Sequence, residues 1–362
     1  MENSKREIIS IAKSYTLISL VSSCFCIYMF LGQISISFPG RSGAEMRMGV
    51  WENRLFGIFS SPNVGGTFFS IGICLSLYLL YISKKKNIWK TLCCFNVIIS
   101  LWYIILSLSR GTYLSMLTAS FISVILFRKP YPKYKRKMYI YLKKVLIWCC
   151  FVIAACVFTG LVRNISQSLV NISSKDDIVL ERIEYSNNDS VETAAVVQAV
   201  EEPASIDISN KRFAIWKASI KMAMQSPAIG VGNSYSNYHN MSLEEQEYFT
   251  PNERIMLDYS NGNIHNGYLQ IFVYCGCIAL TFYVIFLICS LSKVIRFFKS
   301  VKNIYVNNQI VFLFGIVIYL LTNNLVESNF ALMGANSFQA AFLLFSGYIV
   351  WFCNNERQKG KV

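Results

Sequence analysis

Histidine is nearly missing from this 362-residue chain: it has two, His239 and His265. With two imidazoles and no CxxC pair among twelve cysteines, no credible zinc set exists. All twelve cysteines lie in or beside apolar runs, so no disulfide framework is implied, and they read as small, polarizable packing residues. Charge is scarce too, at 15% of residues, and acids are the rarer sign, 20 against 34 Lys and Arg. The paired carboxylates "DD" at 176–177 sit in an acidic, motif-free stretch and do not read as a metal site. There is no internal repeat.

What the chain has in excess is apolar sequence, 54% of residues with a mean hydropathy of +0.41, too apolar for most soluble globular proteins. Nearly uncharged runs occur at 14–36, 64–82, 91–108, 112–127, 145–162, 267–290, 308–326 and 337–353. A bilayer-spanning helix needs about 20 such residues. The fold class expected is therefore an all-α polytopic membrane protein with about eight transmembrane helices. The first run follows Lys5, Arg6 and Lys13 but is long and has no small-residue cleavage site, so it reads as a retained span.

The net charge of +14 invites a nucleic-acid reading, and its distribution argues against one. With the N-terminus inside, the inner segments 1–13, 83–90, 128–144, 291–307 and 354–362 hold 22 of the 34 basic residues and only Glu2, Glu7 and Glu356 of the acids. The positive-inside rule accounts for this. "RKPYPKYKRK" at 128–137 reads as a topology anchor that can also touch anionic headgroups. Both termini are expected inside.

Three regions follow: 1–162 with membrane helices 1–5, a long extracytoplasmic loop 163–266, and 267–362 with helices 6–8 and a cytoplasmic tail. Within the loop, 174–209 carries nine acids against Lys175 and Arg182 and reads as mobile, with no core of its own. The next part, 210–226, reads as an amphipathic helix stopped by Pro227. Wound at 3.6 residues per turn, it sets Trp216, Ser219, Ile220 and Ala223 beside Arg212, with Lys217 and Lys221 opposite. An arginine inside an apolar stripe either snorkels out or meets an anion. Arg110 raises the same question, lying between two apolar runs at the outer surface, against the charge rule. His265 sits in "NGNIHNGYLQ", at the lip of the sixth apolar run, as a helix-start residue or a functional one. His239, in "NSYSNYHNMS", belongs to no motif and reads as loop.

Four outer stretches, "RLFGIFSSPNVGG", "SRGTYLS", "RFAIWKASIKMAMQSPAIGVG" and "HNGYLQIFVYCGCIAL", stand in an order and spacing that resembles the O-antigen ligase and O-antigen polymerase superfamily, over roughly residues 54–290. The resemblance implies an all-helical fold similar to class C glycosyltransferases. It also implies transfer of a glycan from an undecaprenyl diphosphate carrier, without metal, nucleotide or other cofactor. Arg110 and Arg212 match the family's diphosphate-binding arginines, and His265 its histidine, taken as the general base. Imidazole titrates near neutral pH, as that role needs. Arg54, Asn63, Trp216 and Asn266, within the same motifs, complete the candidate substrate-binding set. Glu327, at the outer end of the seventh span, is a candidate for orienting a group in the site. Two departures stand out: the family commonly has about a dozen spans, and Thr112 stands where a small Ala is usual.

The expected partners are the carrier-linked donor, a glycan or lipid acceptor, membrane lipid and polysaccharide assembly proteins, with no nucleic acid. Rival readings are a transporter of lipid-linked glycan and a non-catalytic subunit of an assembly complex. A transporter would carry ionisable groups near mid-span; here the spans are nearly bare of charge and the candidates gather at one surface.

Overall fold

The structure, a computed structural model, describes residues 2–39, 45–51, 53–83, 88–128, 137–173, 211–260, 262–328 and 337–358. The acidic stretch 174–209 and most of the basic segment 128–137 lie outside the described residues. The chain divides into two compact units. The first comprises Met1–Ile183, Ile288–Asn323 and Ala335–Val362, the second Glu184–Leu287 and Asn324–Gly334.

Each apolar run forms a helix. In chain order these are α1 (Glu2–Leu31), α2 (Pro62–Ile82), α3 (Ile88–Ser107), α4 (Arg110–Leu126) and α5 (Lys137–Ser173). The outer loop contributes α6 (Arg212–Ala223), α7 (Ser234–His239), α8 (Leu243–Gln246) and α9 (Pro251–Ser260). Then come α10 (Gly267–Ser300), α11 (Ile304–Asn323) and α12 (Ser337–Gln358). Among the described residues, six helices are long and apolar enough to cross a membrane: α1, α2, α3, α5, α10 and α11. Against the eight expected, α4 is apolar but only 17 residues long, and α12 is helical over 22 residues without being one of the six. The protein is an all-α polytopic membrane protein.

In the first unit α2 packs against α1, α3, α4 and α11. Small residues on α2 let backbones approach, as helices in lipid require. A Cβ on Gly66 would lie 2.3 Å from Thr112 Oγ1, so Gly66 supplies the room that the larger Thr112 takes. Ser61 caps α2, accepting from the Asn63 N–H, and Pro62 occupies the first turn, where its missing N–H costs nothing. At the far end Arg128 donates from its guanidinium to the carbonyls of Phe298 and Val301, closing the last turn of α10, while Asn308 pairs with its backbone.

Within this helical architecture one small element is extended. Three short strands, β1 (Ser35–Pro39), β2 (Glu45–Trp51) and β3 (Arg54–Gly57), form an antiparallel meander. Leu55 of β3 is fully buried with Cys26, Phe30 and Tyr103, so the meander is part of the core at that end of the bundle.

In the second unit α6 packs on α9 through Ile215, Ala218 and Met222, with Tyr238, Phe249 and Leu257. This corrects the expected face of α6. The buried side is Ile215, Ala218, Ser219, Met222 and Ala223, whereas Ile220 and Phe213 are exposed. Arg212 and Trp216 therefore lie at the edge of the packed face, not at its centre. The helix is apolar on two sides, and pattern alone selected the wrong mixture of them.

α10 is not continuous. Gly276 has φ +76° and ψ −178°, outside the helical range. In an unbroken helix the N–H groups of Cys277 and Ile278 would donate to Val273 and Tyr274. Here they donate to the carbonyls of Pro227 (2.8 Å) and Ala228 (3.2 Å). The carbonyls of Val273 and Tyr274 in turn accept from Val231 (2.8 Å) and Gly232 (3.1 Å). The turn after α6 is thus knitted into the break, and these four displaced backbone groups all find partners.

Candidate active site

The loop from α9 to α10 is anchored at nearly every residue. Tyr274 donates its hydroxyl to the Gly262 carbonyl at 2.6 Å. Ile264 is fully buried, and its carbonyl accepts from Trp216 Nε1 at 2.8 Å. Asn266 caps α10, its side-chain oxygen accepting from the N–H groups of Tyr268 and Leu269. Between these fixed neighbours His265 has φ +54°, in the left-handed region that only a few per cent of non-glycine residues occupy. Strain of this kind persists only where the surroundings over-determine it. Here it turns the ring outward, with its side chain 32% exposed.

The segment after α11 lies alongside. Gly267 N–H donates to the Asn324 carbonyl (2.8 Å), and Asn266 N–H to Ser328 Oγ (3.2 Å). These two bonds carry Glu327 to His265. Its Oε2 is 3.3 Å from His265 Nδ1, and its Oε1 accepts from Arg212 Nη2 at 2.6 Å. The Glu327 side chain is 11% exposed, so the carboxylate is largely out of water and paired on both oxygens. A carboxylate on Nδ1 fixes the tautomer with the proton there, leaving the Nε2 lone pair as acceptor. Arg212 spends Nη2 on Glu327; Nε and Nη1 have no other partner among the described residues.

Three sequence candidates therefore meet here: His265, Arg212 and Glu327. Trp216 and Asn266, expected to touch substrate, hold the loop: one fixes Ile264, the other caps the helix behind the histidine. The remaining candidates belong to the first unit. Arg110 opens α4 and is exposed, after Leu108 at φ +51° and the cap Ser109. Ser109 Oγ donates to Asn63 Oδ1 at 2.7 Å, and Arg54 Nε donates to the Ser107 carbonyl at 3.1 Å. Arg54 and Asn63 thus brace the turn that presents Arg110. Sequence reading passed over Asn324 and Ser328, which position Glu327. Their signal is only a polar "TNN…ES" ending at an apolar span. His239, read as loop, ends the short α7 and lies 2.9 Å from Asp258.

Among the described residues no group of three or more His, Cys, Asp or Glu could hold a metal ion. One buried charge cluster outside the constellation is structural. Glu253 Oε2 accepts from Lys221 Nζ (2.9 Å) and from the Thr250 N–H (3.0 Å), while Glu253 N–H donates to Thr250 Oγ1. This is a capping box at the start of α9, with Pro251 in its first turn. Lys221 first, and then the Thr250 N–H, hold the Glu253 carboxyl below the ordinary glutamate range. A depressed carboxyl contributes stability that is full above its unfolded value, about 4.3, and is lost as pH falls through the folded one. Glu253→Gln should thus cost about 1–3 kcal/mol at pH 7 and flatten the acid limb of the melting curve. Thermal melts from pH 7 to pH 3 check this; parallel acid limbs in the two proteins would count against it.

No curated protein matches the chain. A family model described as O-antigen ligase matches residues 95–284, just over half of the sequence. That match takes in the Arg110 turn, α6 with Arg212, and His265 with the broken helix behind it. With the helical, membrane-spanning architecture around them, these segments place the chain in the O-antigen ligase family, multi-pass membrane proteins of ligase and polymerase type that act on glycans.

Proposed function

We propose that this protein transfers an oligo- or polysaccharide from undecaprenyl diphosphate to an acceptor hydroxyl, at the outer face of the bacterial cytoplasmic membrane. The observation that carries the reading is Glu327 bridging His265 and Arg212. The acceptor oxygen attacks the anomeric carbon, and the bond from that carbon to the diphosphate breaks. The electron pair leaves with the diphosphate. The hydroxyl proton passes to His265 Nε2, and Glu327 on Nδ1 stabilises the imidazolium that forms. Charge grows on the leaving oxygens as the bond breaks, and a fixed guanidinium lowers that barrier. Arg212 offers Nε and Nη1 for this; the family motif assigns Arg110 the same task. Neither a metal nor a nucleotide takes part. The acceptor is a second carrier-linked glycan in a polymerase, and a lipid core or a protein in a ligase. Both termini are cytoplasmic, and the 163–266 loop is extracytoplasmic, which fits the basic inner segments.

Carrier-linked donor binding and product formation, measured separately in purified variants, test this. Arg212→Ala should lower transfer by roughly 30- to 1,000-fold and weaken donor binding. Arg212→Lys should rescue poorly, because a point charge cannot pair with Glu327 and grip an anion through one planar fork. Normal turnover in both Arg212→Ala and Arg110→Ala would contradict the catalytic reading and favour a transporter or a non-catalytic subunit.

A further inference from the structure

We propose that α6 and the turn after it lie in the outer leaflet of the bilayer, with the uncovered apolar side of the helix against lipid acyl chains. One side of α6 packs on α9. The opposite side shows Phe213, Ile220 and Met224, which are 67%, 41% and 57% exposed, and the following turn shows Ile229 at 71%. Large apolar side chains on both sides of a 12-residue helix imply a second apolar contact. Lys217 starts on that same side, 79% exposed, but its long stem carries the charge back towards α9, 3.7 Å from Glu253 Oε1.

Position along α10 identifies lipid as the occupant. The turn Pro227–Gly232 is hydrogen-bonded to Val273, Tyr274, Cys277 and Ile278. The apolar run of α10 ends at Lys293, the first of three basic residues in its last turns. From Lys293 back to the break at Gly276 the helix rises roughly 26 Å, close to one hydrocarbon thickness. The break in α10 therefore falls at the outer boundary of the hydrocarbon, and the backbone of the turn after α6 is fixed at that depth. Ile278, whose N–H donates to Ala228 beside Ile229, and Phe282 further along the same span are 51% and 69% exposed. A helix at this depth, with its apolar side chains among the acyl chains and its Lys217 and Lys221 ammoniums drawn to Glu253, is an interfacial arrangement. Non-helical backbone is tolerated there because the Gly276 break and the turn satisfy each other's hydrogen bonds. The arrangement does not depend on the reaction proposed above. If that reaction holds, it sets Arg212 at the depth of a lipid-borne diphosphate.

The test uses the full chain, with a photo-reactive diazirine amino acid introduced singly at 213, 224 or 229. Position 282 is the lipid-facing control, and 243 and 255 are exposed controls elsewhere on the same unit. Each protein is reconstituted in vesicles of phosphatidylethanolamine and phosphatidylglycerol, checked for an unchanged melt, irradiated and analysed by mass spectrometry. Acyl-chain adducts at 213, 224 and 229 should be comparable to those at 282 and at least roughly tenfold above those at 243 and 255. Water adducts at those three positions would overturn the proposal. So would cross-links to a second copy of the chain with no lipid adduct.

Discussion

Replacing His265 with alanine should reduce glycan transfer by about 10²- to 10⁴-fold, the range a positioned general base contributes. Donor binding should change little, because the histidine is assigned to the acceptor hydroxyl and Arg212 to the diphosphate. Glu327→Gln separates orientation from charge. The amide can still accept from Nδ1–H, but it neither stabilises an imidazolium nor pairs ionically with Arg212 at 2.6 Å. Its transfer rate should fall less than that of His265→Ala. A His265→Ala protein that kept wild-type turnover across pH 6–8 would remove the histidine from the chemistry. A wild-type rate in Glu327→Gln would detach the carboxylate from the chemistry.

The largest stability effect is expected at Gly276. A Cβ there would sit 2.1 Å from the Ala228 carbonyl oxygen, in backbone contact that no side-chain movement relieves. The conformation, φ +76° with ψ −178°, is also one that only glycine adopts readily. Overpacking and backbone strain together should cost about 3–5 kcal/mol in Gly276→Ala. The damage should be local to the seam between the turn after α6 and α10. Thermal unfolding in detergent, with hydrogen exchange read at Val231, Gly232, Cys277 and Ile278, would show it. A variant with wild-type melting temperature and undiminished protection at those four amides would mean that the seam is not as described.

The helices were legible because a span announces itself locally, through about 20 apolar residues and flanking bases. What the sequence hid is non-local. The β1–β3 meander is only 35–57, with short strands whose pairing depends on the packing of Leu55 between α1 and α3. The break in α10 is a single glycine in an apolar run, and its partner is a turn more than forty residues earlier. Glu327 reaches His265 only because Asn324 and Ser328 bond to the start of α10, and neither residue has a pattern of its own. Arg212 was noticed as an oddity, but its surroundings were misassigned. Phe213 and Ile220, apolar and exposed, pulled the expected core face round towards them. The family motif pointed to Arg212 and His265, while the carboxylate that joins them sits outside the matched segment 95–284.

The central claim, a glycosyl transfer that expels a lipid diphosphate, has a stoichiometric test. The purified protein, in vesicles, is given a carrier-linked glycan and an acceptor glycan on the same carrier or on a lipid core. Released lipid diphosphate and newly formed glycosidic bonds are counted together. The account predicts equal amounts of the two, rising with time in the wild-type protein and suppressed in His265→Ala, which still binds donor. Donor that binds and crosses the bilayer with its sugar–diphosphate bond intact, and no new glycosidic bond, would contradict it.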